Sequence, residues 1–174
     1  MVFKFFVNRK KQQKKSKCDE LKECNLQNTM QFVPNVQIGK VIKVYDGDTI
    51  TIASKPYRKE PPYKFSIRLR GIDCPELRTN DNNEKEIAII ARDMLRDKIL
   101  HKYVYVNALS YEKYGRLLCN VYLLKHEGTN KELDEWSDCI NDWLLKRRLA
   151  VKYNGDTKKT PTNWKKYYEE GIWD

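Results

Sequence analysis

The sequence predicts an α+β fold, a small closed β-barrel of five strands with three helices. Three observations lead there. Phe65, Ile67 and Leu69 alternate with Ser66, Arg68 and Arg70, the period-two pattern of a half-buried strand. Asp46-Gly47-Asp48 separates two β-rich runs, Gln37 to Tyr45 and Thr49 to Ala53, and Asp-Gly between such runs signals a tight hairpin. Ile87, Ile90, Ala91, Met94 and Leu95 recur at helical spacing, with Glu84, Lys85, Arg92, Asp93 and Arg96 on the other face.

The remaining elements follow in order. Residues 1 to 35 read as a basic tail, disordered and solvated, and 36 to 174 as the folded domain. Pro34 and Asn35 mark the boundary, and the third strand follows the polar loop Ser54 to Pro62. The helix just described spans Glu84 to about Leu100. Tyr103 to Leu109 is a fourth strand, Lys113-Tyr114-Gly115 a turn, and Arg116 to Leu124 a fifth strand. After a loop from Lys125 to Asn130, a second helix is expected over Glu132 to Leu149. Leu133, Trp136, Ile140, Trp143 and Leu144 would lie on its apolar side, with Lys146, Arg147 and Arg148 in its last turn. Ala150 to Tyr153 is a short extended piece, and Thr162 to Glu170 a third helix between Pro161 and Gly171. Five strands with one helix between the third and fourth suit an OB-fold barrel. Periodicity alone leaves other α+β arrangements open.

Charge narrows the partners. There are 34 Lys and Arg against 24 Asp and Glu, a net charge of +10 with pI near 9.3. Such a balance suits a polyanion, either nucleic acid or an anionic membrane, or serves solubility alone. The run Arg9-Lys10-Lys11-Gln12-Gln13-Lys14-Lys15-Ser16-Lys17 concentrates it. A nucleic-acid or nuclear-localisation arm is the favoured role. A weak membrane contact through Phe3, Phe5 and Phe6 beside the cluster, or a removable targeting peptide, are the others. Five unevenly spaced cysteines without a C-x-x-C argue against a disulfide framework or structural zinc and favour a reducing, intracellular setting. No run approaches the apolar length of a membrane span, and Met1 to Val7 is too short for a secretory signal core.

Four pieces carry chemistry. Asp46-Gly47-Asp48-Thr49 is an acidic hairpin turn, and Arg68 lies on the third strand. Asp73-Cys74-Pro75-Glu76 is an acidic turn after it, and Lys113-Tyr114-Gly115-Arg116 precedes the fifth strand. Carboxylates bind hard metal ions and arginines bind phosphate. Together they are the equipment of metal-assisted phosphodiester cleavage. Taken singly, the pieces read more simply as turns or charged strand faces.

In this order, and at these strand ends, the pieces resemble the staphylococcal-nuclease-like (thermonuclease) family over residues 37 to 174. Lys40 to Thr49 looks like that family's first hairpin, and Ile67 to Glu76 like its central strand and acidic turn. Lys113 to Arg116 looks like its second arginine motif. Ala150 to Tyr153 and Gly171-Ile172-Trp173 fit its closing segments. The resemblance implies an OB-fold monomer and Ca²⁺-dependent, weakly sequence-specific hydrolysis of DNA and RNA to 3′-phosphate ends. It implies Asp48, Asp73 and the Cys74 backbone carbonyl as calcium ligands, and Arg68, Arg116 and Glu76 as the catalytic set. It implies Lys113 and Tyr114 as phosphate contacts and Tyr153 as a nucleotide neighbour. Cys74 stands for a threonine, and the loop Leu77 to Asn83 is short. Val151 stands where a second stacking tyrosine can lie, which implies weaker base stacking. The alternative is a catalytically inactive nucleic-acid- or protein-binding module on the same barrel. The presence of Asp48, Arg68, Asp73, Glu76 and Arg116 together weighs against it.

Overall fold

The chain divides by its contacts between Phe32 and Val33. The computed structural model describes residues 17–124 and 136–173. In the first unit, where the sequence predicts no regular structure, Lys17–Leu21 forms the short exposed helix α1, and Lys22 pairs with Asp19 at 2.6 Å. The basic run at positions 9–16 lies outside the described residues.

In the second unit the alternating pattern builds the barrel. β1 (Ile38–Val44) and β2 (Thr49–Ser54) form the antiparallel hairpin expected of Asp46-Gly47, with Val44 opposite Ile50. β3 (Tyr63–Leu69) pairs with β2 and places Arg68 opposite Thr49. The two-residue β4 (Ile72–Asp73) and the helix α2 (Asn82–Ile99) follow. Then β5 (Tyr103–Tyr111) returns antiparallel to β1, and β6 (Leu117–Leu124) lies antiparallel to β5. The first half of β6 pairs parallel with β3, from Ile67–Leu117 to Leu69–Cys119. That pairing closes five strands into the expected barrel. Ile50, Ile52, Ile67, Leu69, Val104, Val106, Leu117 and Val121 fill its interior. Burying each such side chain contributes about 1.5–3 kcal/mol.

α2 lies against this core through Ile87, Ala91, Leu95 and Ile99, the face its periodicity predicts. Its N-terminus is capped by Asp81, whose side chain accepts the Asn83 N–H at 2.9 Å.

The expected helix over Glu132 to Leu149 is corrected. Residues 132–135 and the loop 125–130 lie outside the described residues. Trp136–Cys139 is a strand, β7, and the helix α3 runs only over Ile140–Lys146. The cause is tertiary. The second half of β6 has diverged from β3 and leaves an open edge, which β7 fills through Tyr122–Cys139 and Leu124–Trp136 pairings. Unpaired ladder groups cost more than helix propensity returns. β8 (Val151–Lys152) pairs antiparallel with β4, and α4 (Trp164–Glu170) ends the chain's regular structure at Gly171.

A buried asparagine ties α3 to the barrel. The Asn141 side chain accepts the Val121 N–H at 3.1 Å and donates to the Arg70 carbonyl at 2.8 Å. Asn141→Ala is expected to lower unfolding stability by about 1–3 kcal/mol, because the Val121 N–H and the Arg70 carbonyl lose this partner. Urea denaturation would show a lower midpoint with an unchanged slope, and a midpoint equal to the parent's would contradict this role.

Candidate active site

Three local structures bring the acids and arginines to one end of the barrel. The hairpin turn is held by the Tyr45 N–H donating to the Thr49 carbonyl at 2.9 Å and by the Asp48 N–H donating to Asp46 Oδ1 at 3.1 Å. The second is an Asx turn, which explains the aspartate at 46. Gly47 is needed because the turn packs tightly. A Cβ there would sit 2.8 Å from Cys74 Cβ and 2.9 Å from its sulfur. The hairpin thus rests directly on the acidic turn.

That acidic turn is fixed from two sides. Asp73 pairs across β4–β8 with Val151, and the Glu76 N–H donates to Glu84 Oε1 in the first turn of α2 at 3.0 Å. Val151 is buried, so it has no face to offer a ligand, whereas half-buried Tyr153 is held beside Gly71 by its N–H donating to the Gly71 carbonyl at 3.0 Å.

The third structure is the β5–β6 turn. Glu112, which the sequence reading passed over, organises it. Its Oε1 accepts the Tyr114 N–H at 3.0 Å, the Arg116 N–H at 3.3 Å and Arg116 Nε at 2.9 Å. Burial opposes its charge, yet the hydrogen bonds from Arg116 and Tyr114 hold its pKa below the ordinary carboxylate value. Arg116 is thereby aimed before any ligand arrives. The signal in the sequence is the i, i+4 spacing of Glu112 and Arg116 around a glycine turn.

The arginines and aspartates form one connected string. Arg116 Nη1 donates to Thr49 Oγ1 at 2.9 Å, and Thr49 Oγ1 donates to Asp48 Oδ1 at 2.9 Å. Asp48 Oδ2 meets Arg68 Nη1 in a close ion pair and accepts the Cys74 N–H at 3.3 Å. Arg68 Nη1 is fully buried and faces Asp48 in this pair. Arg68 Nη2 donates to Asp73 Oδ1 at 2.8 Å. One guanidinium fork therefore spans both buried carboxylates. Lys158 completes the string, its ammonium 3.1 Å from Asp73 Oδ1 and 3.0 Å from Glu76 Oε1. No local pattern announces Lys158, which stands 82 positions from Glu76 in the chain.

A cleft of about 310 Å³ opens on this string. Asp48, Arg68, Cys74, Glu76, Lys113, Tyr114, Arg116 and Tyr153 all line it, and Asp73 lies behind Arg68 and Lys158. Every residue the sequence nominated is thus at one place. Exposed Tyr114 carries the Lys113 ammonium 4.9 Å from its ring centre and the Arg116 guanidinium at 5.7 Å. Asp46 also lines the cleft. Burial raises its pKa above the ordinary value, with Thr49, Arg68 and Arg116 working against that rise.

The donor set suits a hard cation. Its side-chain oxygens are carboxylates, paired with Arg68 and Lys158. Burial pushes the Cys74 thiol far up, so no thiolate competes there. Among the described residues no three acidic, His or Cys side chains converge closely enough to hold an ion unaided. Backbone and water oxygens would have to complete any shell, as calcium's flexible coordination permits.

The comparisons with known proteins agree with this geometry. A model of the family described as staphylococcal nuclease homologue matches residues 66–170. A protein of Schizosaccharomyces pombe named a probable endonuclease is 30% identical over 135 residues, covering 67% of this chain and 56% of the relative. The probable endonuclease LCL3 of Kluyveromyces lactis is 33% identical over 101 residues, 54% of this chain and 35% of that one. An uncharacterized endonuclease of Escherichia coli is 27% identical over 139 residues, with 78% and 76% covered. The chain spans about half the length of the first relative and a third of the second. A family model matching well over half of the chain, laid over a barrel whose acids and arginines meet in one cleft, shows that this protein belongs to the staphylococcal nuclease homologue family.

Proposed function

We propose that the chain is a calcium-dependent nuclease that hydrolyses DNA or RNA with low sequence specificity and leaves 3′-phosphate ends. The observation that carries this reading is the single string Arg116–Thr49–Asp48–Arg68–Asp73–Lys158–Glu76 along one cleft. A binding module has no chemical use for two arginines and three acids strung along one cleft.

Asp48, Asp73 and the Cys74 carbonyl would hold the ion. Bound there, calcium would withdraw charge from the phosphoryl oxygen and favour attack by water. Glu76, the most exposed of the acids, accepts the proton of the attacking water. The water oxygen forms its bond to phosphorus as the bond to the 5′ oxygen breaks, and that oxygen leaves with a proton from solvent. Arg68 and Arg116 donate to the equatorial oxygens as negative charge grows on them. Arg116 enters this step with Nε and Nη1 already engaged, which leaves its outer nitrogen for substrate. Lys113 and Tyr114 contact phosphate at the cleft mouth. Tyr153 and a second cavity of about 520 Å³, reached past Arg68, receive the nucleoside.

The test is cleavage of single-stranded DNA and of RNA with calcium, with magnesium and with a chelator in parallel. Hydrolysis with calcium, abolished by the chelator and leaving 3′-phosphates, is expected. Protein that binds DNA yet cleaves neither polymer in calcium would instead be a binding module on this barrel.

A further inference from the structure

Arg70 has no part in the chemistry above, and the structure gives it a place of its own. It follows the last residue of β3, Leu69, in the turn that leads to Gly71, two positions beyond Arg68. The backbone of Arg70 is held on both sides. Its N–H donates to the Cys119 carbonyl at 2.8 Å and its carbonyl accepts from Asn141 at 2.8 Å. The side chain remains exposed, and among the described residues its guanidinium has no carboxylate partner. With its backbone already fixed, the residue has only side-chain freedom to lose when it meets an anion.

The cavities explain what that anion would be. Arg68 lines both the catalytic cleft and the 520 Å³ cavity beside it. Arg70 lines that same cavity and a third one beyond, of about 390 Å³, reached past Gly71 and Ile72. Both arginines therefore line one space large enough for a nucleoside, with Lys113 and Glu112 as its other charged walls. Lys152 adds positive charge to the outer cavity and Asp142 adds one negative charge.

We propose that Arg70 forms a second phosphate subsite, one nucleotide along the strand from the scissile phosphate, so that the protein grips a polynucleotide across successive phosphates. The proposal rests on the nuclease reading for the identity of the first subsite. It makes Arg70 a determinant of preference for polymer over short substrate.

The experiment measures binding, so it stands apart from turnover. A fluorescently labelled single-stranded DNA decamer is titrated with the full chain and with Arg70→Ala in chelator, at several salt concentrations. Thymidine 5′-monophosphate, with one phosphate, is titrated in parallel by calorimetry. Arg70→Ala is expected to weaken decamer binding about tenfold and to reduce the slope of log K against log salt by about 0.7. Arg70→Lys keeps the slope, and mononucleotide affinity is unchanged. Equal decamer affinity and slope in the parent and Arg70→Ala would overturn the subsite. So would an equal loss on the mononucleotide, which would place Arg70 at the first phosphate. If the parent binds the decamer with the expected Arg70 dependence but cleaves nothing in calcium, the nuclease reading fails and the subsite stands.

Discussion

Lysine in place of Arg68 is expected to lower kcat by about 10²–10³-fold, with the barrel intact. Arg68 holds Asp48 with one arm of its fork and Asp73 with the other. A lysine keeps the charge, so the two buried carboxylates are not left without a counter-ion and folding is retained. It is a point donor, however, and cannot span both carboxylates while still donating to a growing oxyanion in the plane of a guanidinium. The loss falls on the transition state, so kcat and kcat/KM drop together. Single-turnover kinetics beside a circular-dichroism spectrum checks this. Turnover within threefold of the parent would remove Arg68 from the chemistry.

Glutamine in place of Glu76 is expected to cost about 10²–10³-fold in kcat, within the range that general-base catalysis supplies. The substitution is nearly isosteric at an exposed side chain, and the amide oxygen can still accept from Lys158. What it removes is the ability to take a proton. Single-turnover cleavage by the variant beside the parent checks this, and a rate within threefold of the parent's would assign the base to another group.

Much of this site was legible because its residues sit next to the strand ends that place them. Asp46-Gly47 announces both a hairpin and the position of Asp48. The alternation through Leu69 announces which way Arg68 points, and Gly115 announces the turn that delivers Arg116. The misses are non-local. Trp136 to Cys139 carry a helical spacing, and only the open edge of β6 turns them into a strand. Glu112 looks like a surface charge until its single oxygen is seen to hold three N–H groups of the turn. Lys158 arrives from a loop whose own sequence signals nothing but a turn. Arg70 shows the reverse case. Its alternation with Arg68 is plain in the sequence, while the cavities that separate their roles come from the fold.

The parallel pairing of β3 with β6 is only three residues long, and it is where the barrel closes. Arg68 lies within it, and Arg116 stands one residue before it begins. The two arginines are thus stitched to opposite lips of one seam. Any motion that parts this seam pulls them away from each other. The closing seam of the barrel and the spacing of Arg68 and Arg116 are therefore one mechanical quantity.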